Sequence, residues 1–195
     1  MDKTNGYETY AATFIRCRSQ GIDGVGAKSV RHWAKSLPSK ATVLDIGCGT
    51  GLPISKAMVD EGLTVYGIDA SSYMVQIFKQ NFPNSTVACE AVENSSFFNR
   101  QFDAIIAWGI MFLLPEEIQE MVIQKLANAL YHGGKLLFTA PSQKMKWNDA
   151  ITEIESISLG ADRYNELLGA LGLSLIEEFE DEGENHYYHA EKRLD

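Results

Sequence analysis

The chain has 195 residues, is 45% hydrophobic and carries a formal net charge of -9, which suits one domain with a real core and argues against a phosphate-backbone partner such as DNA or RNA. No apolar run approaches the roughly 18 residues of a membrane span, and the N-terminal stretch lacks the apolar segment of a secretion signal. Three widely spaced cysteines, Cys17, Cys48 and Cys89, read as free thiols of a cytoplasmic protein, with no disulfide or metal-binding framework.

In chain order, residues 1–36 come first as two amphipathic stretches. Tyr7, Tyr10, Ala11, Phe14 and Ile15 share one helical face, and Val30, Trp33, Ala34 and Leu37 share another. The glycine-rich "GIDGVG" at 21–26 joins them and misses a phosphate-binding loop by one residue, since Ala27 separates Gly26 from Lys28. This region is expected to be a helical cap on a core spanning residues 37–195, the two forming a single domain.

From residue 41 strands and helices alternate. "ATVLDI", "LTVYGID", "STVACE", "FDAIIAW" and "GKLLFTA" read as strands. Between them, Pro53 opens one helix and Gly62 closes it. "SSYMVQIFKQNF" starts on capping serines, and "PEEIQEMVIQKLANALYHGG" runs from Pro115 to a stop at Gly133-Gly134. The tail runs "LSLIEEFE" and "HYYHAEK" flank the turn "DEGEN" as an antiparallel hairpin. The fold class is α/β: a doubly wound, mostly parallel, seven-stranded sheet with an antiparallel last strand.

The chemistry concentrates where the first strand enters its helix. Glycines 47, 49 and 51 in "GCGTG" allow a sharp turn and let a ligand touch bare backbone at a helix N-terminus. Asp69 ends the second strand, where a carboxylate suits the two hydroxyls of a ribose; capping the next helix is the structural alternative. Asp45, two residues before the first glycine, is an awkward neighbour for a diphosphate and suits a ligand with a cationic amino group. Cys48 reads as a small residue tolerated in the loop.

"VLDIGCGTG", "VYGIDAS", "CEAVENSSF", "FDAIIAWGIMFLLP" and "GGKLLFTAP" together resemble the motifs of the class I S-adenosylmethionine-dependent methyltransferases, over residues 41 to about 140. The resemblance implies a Rossmann-like core and S-adenosylmethionine as cofactor, with S-adenosylhomocysteine as product. Asp45, Gly47, Cys48, Gly49, Gly51, Asp69, Ala70 and Trp108 would then line the cofactor site, with Glu90, Ala91 and Val92 at the adenine. The family's adenine acid is more often Asp, so Glu90 departs from the pattern. No Asn- or Asp-Pro-Pro-Tyr motif follows the fourth strand and no Pro-Cys nucleophile is present, which removes nucleic-acid base methylation.

The acceptor is therefore expected to be a small molecule, bound where the strands end. Tyr7, Tyr10 and Trp147 are candidate lining residues, and His186 is the candidate base. Asn185 falls on the same edge, whereas Met111 through Leu114 read as core behind the site. Two alternatives stay open: a non-catalytic S-adenosylmethionine sensor and an NAD(P)-dependent oxidoreductase. No metal is expected, and the chain is read as a monomer or homodimer.

Overall fold

The computed structural model describes residues 2–17 and 24–194; the Cys17 side chain and the Gly21 end of the interhelical joint lie outside the described residues. The elements are α1 (Tyr7–Cys17), α2 (Ala27–Ala34), β1 (Thr42–Ile46), α3 (Ile54–Asp60), β2 (Thr64–Asp69), α4 (Ser72–Asn81), β3 (Thr86–Cys89), β4 (Phe102–Ala107), α5 (Glu116–Ala129), β5 (Leu130–Thr139), β6 (Met145–Asn148), β7 (Glu155–Ser158), α6 (Ala161–Ala170), β8 (Leu173–Glu180) and β9 (His186–Lys192). Short 3-10 turns at Phe97–Asn99 and Met111–Leu113 flank β4.

The main sheet has seven strands in the order β3-β2-β1-β4-β5-β9-β8. Pairings from β3 to β5 are parallel, and β9 runs antiparallel to both neighbours. The order reverses at β1 and β4, so their C-terminal ends open a crevice between diverging crossovers. Because β9 is antiparallel, it starts at the edge where β5 stops. The expected topology, including the closing hairpin, is what forms.

Alternation along β4 shows how the sequence builds two layers. Ile105 and Ala107 join a cluster with Val122 and Leu126 of α5 and Tyr164 of α6. Ala104 and Ile106 join a second cluster with Val30 and Trp33 of α2, Ile54 of α3 and Phe78 of α4. A strand buried on both faces reads as a continuous apolar run, as "FDAIIAW" does. Ser71 caps α4 by accepting from the Met74 amide at 3.2 Å.

Two local expectations change. Helix α5 stops at Ala129 rather than at the glycine pair, because Leu130 is buried and already pairs with Phe102. Gly133 and Gly134 lie inside β5 where its register to β4 shifts; a Cβ on Gly134 would sit 2.8 Å from the Tyr131 carbonyl. Residues 141–160, expected only as an extension from the strand ends, form the two-stranded β6–β7 sheet, and α6 follows it.

Candidate functional site

At the C-terminal ends of β1, β2 and β4 lies a cavity of about 270 Å³. The three loop glycines have different jobs there. Gly47 (φ +66) turns the chain against Ile110, whose Cδ1 would lie 2.7 Å from an added Cβ. At Gly51 (φ +79) a Cβ would run into the Phe82 ring, so this residue is kept bare by packing and does not line the cavity. Gly49 (φ +53) has nothing within 4 Å of where a Cβ would be, and it lines the cavity. It is the point where backbone faces open space.

Asp69 faces the same space. Its carboxylate accepts from the Gly49 amide at 2.8 Å and the Ser71 amide at 2.8 Å, so it ties the glycine loop to the start of α4. Burial raises its pKa, against the opposing pull of those two N–H groups. The helix cap, the structural alternative for Asp69, falls to Ser71, while the Asp69 carboxylate binds the loop backbone and lines the cavity.

Asp45 is 1% exposed and accepts from the Ser55 hydroxyl. Burial pushes its carboxyl up to about 7, Ser55 pulls it down, and the Asp69 charge adds to the rise. Among the described residues no cation pairs with it. A buried carboxylate poised this way fits a cationic partner brought by a ligand.

Cys48 lines the cavity, but burial and the fields of Asp45 and Asp69 drive its thiol well above the usual range, so it stays protonated and inert. Ala70, Glu90 and Val92 also line the cavity, whereas Ala91 does not.

Trp108 lines the wall between β4 and the cap. Its indole Nε1 donates to the Tyr187 hydroxyl at 2.7 Å, and Gly26, at the start of α2, lies so close that a Cβ would meet that nitrogen at 2.8 Å.

The remaining candidates separate. Tyr7 lines the cavity and donates to Asp149 Oδ2 at 3.0 Å, while Tyr10, one helical turn on, is 42% exposed and turned away. Trp147 stands one layer back, its ring 5.5 Å from that of Phe112, which does line the cavity. His186 is outside the lining: strand alternation turns it to Glu178 Oε2 at 2.8 Å, with Glu180 at 3.6 Å, so the candidate base does not face the cavity. Its neighbour Asn185 does.

Several lining residues were not singled out from sequence. Phe112, Leu113 and Leu114 were read as core behind the site; they line it, and only Met111 of that run is fully buried. Lys3 and Asp149 come from segments with no motif. Lys3 pairs with Glu93 at 2.7 Å, and Asp149 accepts backbone N–H groups of Ile151 and Thr152 as well as Tyr7. Among the described residues, no helix is long and apolar enough to cross a membrane.

Residues 43–134 match the family model of a methyltransferase domain. The chain is 30% identical over 96 residues to an uncharacterized methyltransferase of Anoxybacillus flavithermus, covering 49% of this chain and 45% of that protein. It is 29% identical over 107 residues to aklanonic acid methyltransferase DauC of a Streptomyces, covering 51% and 47%. Against ubiquinone biosynthesis O-methyltransferase of Salmonella newport the identity is 27% over 121 residues, covering 59% and 49%. The chain thus spans about half the length of the curated relatives it matches.

Solved structures align along the whole chain. Magnesium protoporphyrin IX methyltransferase from Synechocystis, determined with S-adenosylhomocysteine bound, superposes with a TM-score of 0.78 at 18% identity, covering 100% of both chains. A TehB-like S-adenosylmethionine-dependent methyltransferase from Corynebacterium glutamicum gives 0.72 at 22% identity, covering 96% of this chain and 97% of that one.

Proposed function

We propose that this chain, which matches a methyltransferase-domain model over residues 43–134 and has the Rossmann-like methyltransferase fold, is an S-adenosylmethionine-dependent methyltransferase acting on a small molecule. The observation that carries the reading is the juxtaposition of bare Gly49 backbone with the carboxylates of Asp69 and Asp45 in one cavity. When bound, the cofactor supplies a methyl group activated by a sulfonium, so no enzyme nucleophile is required.

Each part of the wall then has a task. Asp45 holds the amino group of the cofactor's methionine part, and the loop at Gly49 takes the chain passing over it. Asp69 holds the ribose diol, while Glu90 and Val92 flank the adenine. The apolar wall of Ile110, Phe112, Leu113 and Leu114 keeps water away from the transfer path. Orientation of the acceptor supplies much of the rate in such a displacement.

Calorimetry with S-adenosylhomocysteine is the direct test: stoichiometric binding is expected, and no heat or thermal shift at millimolar ligand removes the proposal. Parallel thermal shifts with NAD and NADP address the oxidoreductase alternative, which Asp45 disfavours because it sits where a diphosphate would approach. A non-catalytic sensor would bind S-adenosylhomocysteine yet leave every acceptor unmethylated. Nucleic acid is excluded from the proposed acceptors on charge, and salt-sensitive RNA or DNA binding would reverse that.

A further inference from the structure

We propose that the methyl acceptor is an uncharged or protonated amine, read by the side-chain carbonyl of Asn185; this rests on the methyltransferase reading above. The first observation is a chain of hydrogen bonds behind the acceptor wall. Trp108 Nε1 donates to Tyr187 Oη at 2.7 Å, and Tyr187 donates to Asp181 Oδ2 at 2.7 Å. From the other side Asn185 Nδ2 donates to Asp181 at 2.9 and 3.1 Å, and the Asn185 amide donates at 3.0 Å.

A carboxylate can only accept, so it fixes which way the Asn185 amide points. The NH₂ is turned to Asp181, and Oδ1 is left as the polar atom Asn185 offers elsewhere; among the described residues nothing donates to it. Trp108 and Asn185, the two ends of the chain, both line the cavity. The Trp108 N–H is engaged by Tyr187, so the polar atom left at the Asn185 end of this wall is a hydrogen-bond acceptor. A group docked there must be a donor.

The second observation is charge. Among the described residues the lining holds the carboxylates of Asp45, Asp69, Glu90, Glu93 and Asp149 against the single ammonium of Lys3. Lys3 and Glu93 pair with each other, and their charges cancel. Asp149 is held on the ionised side of its usual range, because the N–H groups of Thr152 and Ile151 and the Tyr7 hydroxyl outweigh the opposing effect of its burial. A carboxylate or phosphate acceptor would enter a field of its own sign, whereas an amine enters a favourable one. An amine bound as its ammonium first gives one proton to solvent, since only the nitrogen lone pair attacks; the N–C bond then forms from that lone pair as the S–C bond breaks, leaving a neutral thioether and a methylated ammonium.

The test needs no knowledge of the natural acceptor. The full chain, saturated with S-adenosylhomocysteine, is titrated with three matched probes: benzylamine, benzyl alcohol and benzoate. Benzylamine is expected to bind tightest and benzoate weakest. Asn185→Leu should weaken benzylamine about tenfold or more, the cost of a hydrogen bond to a charged group, and leave S-adenosylhomocysteine affinity within about twofold. Asp181→Asn is the second variant: it releases the amide to turn, and should erase the preference for amine over alcohol. Benzoate binding as well as benzylamine, no binding of any probe, or a preference unmoved by both variants would overturn the proposal. Failure of the wild-type chain to bind S-adenosylhomocysteine would strike the methyltransferase reading instead.

Discussion

Asp45, buried, and Asp69, half-buried, both stand beside the glycine loop, yet they make different predictions. Asp69 already accepts two backbone N–H groups, so Asp69→Ala removes the ribose contact and loosens the loop together. S-adenosylhomocysteine binding should weaken by about 1.5–3 kcal/mol; wild-type affinity would exclude Asp69 from the site. Asp45 predicts a pH dependence. Its free carboxyl sits at about 7, and an ammonium beside it favours the ionised form, so binding expels a proton wherever that carboxyl is protonated. Affinity should therefore rise from about pH 5.5 to about pH 7.5 and then level off. Calorimetry in buffers of different ionisation heat reads the released proton, and a flat profile excludes Asp45 as the ammonium's partner. For the free protein the sign is opposite. A carboxyl raised in the fold holds a proton that the unfolded chain has lost, so its contribution to stability falls between about pH 4 and pH 7. Asp45→Asn should raise the thermal midpoint at pH 8 while weakening the cofactor.

At the scale of elements, what was legible in the sequence was local. Strands β1 to β5 carry apolar runs bounded by turn residues, and the glycine loop with Asp69 lies within one crossover unit, so spacing alone placed it. The acceptor wall was not legible, because contacts across long separations assemble it: Tyr7 meets Asp149 from 142 residues away. His186 was misplaced by a single step of strand alternation, which put Asn185 inward. Lys125 stands on the largely apolar face of α5 beside Val122 and Leu126, where a cation needs a reason. The structure supplies one: its ammonium donates to the carbonyls of Val92, Glu93 and Ser95, each at 2.9 Å, and lies 4.8 Å from the centre of the Phe97 ring. Three carbonyls converging on one point need a cation between them, so α5 sets the shape of the loop after β3 that carries Val92 and Glu93. Lys125→Met keeps the volume and leaves those carbonyls unmatched. It should lower stability by about 1–3 kcal/mol and weaken S-adenosylhomocysteine binding about tenfold, with Lys125→Arg recovering part of both. Unchanged affinity in a folded Lys125→Met protein would confine the residue to a structural role.

Across the whole molecule the N-terminal segment touches three separate loops of the cavity rim. Lys3 pairs with Glu93 after β3 at 2.7 Å, Glu8 accepts from the Ser71 and Ser72 hydroxyls at the head of α4 at 2.5 and 2.6 Å, and Tyr7 reaches Asp149 on the β6–β7 turn. Among the described residues of α1 only Ala11 is fully buried, and polar links at the rim do much of the fastening. Each link is partly exposed and modest on its own, which suits a cover that must open for ligands and close around them. A short helix held this way should exchange its amide protons quickly in the free protein and slowly once ligand fills the cavity. Hydrogen exchange with and without S-adenosylhomocysteine should therefore show protection gained over residues 7–16, with α5 unchanged. Glu8→Gln weakens the α4 link without touching the cavity lining, so it should speed S-adenosylhomocysteine dissociation about three- to tenfold, the equivalent of one or two exposed hydrogen bonds, and leave association nearly as it was. Equal protection in both states, together with an unaltered dissociation rate, would make α1 a fixed layer of the fold.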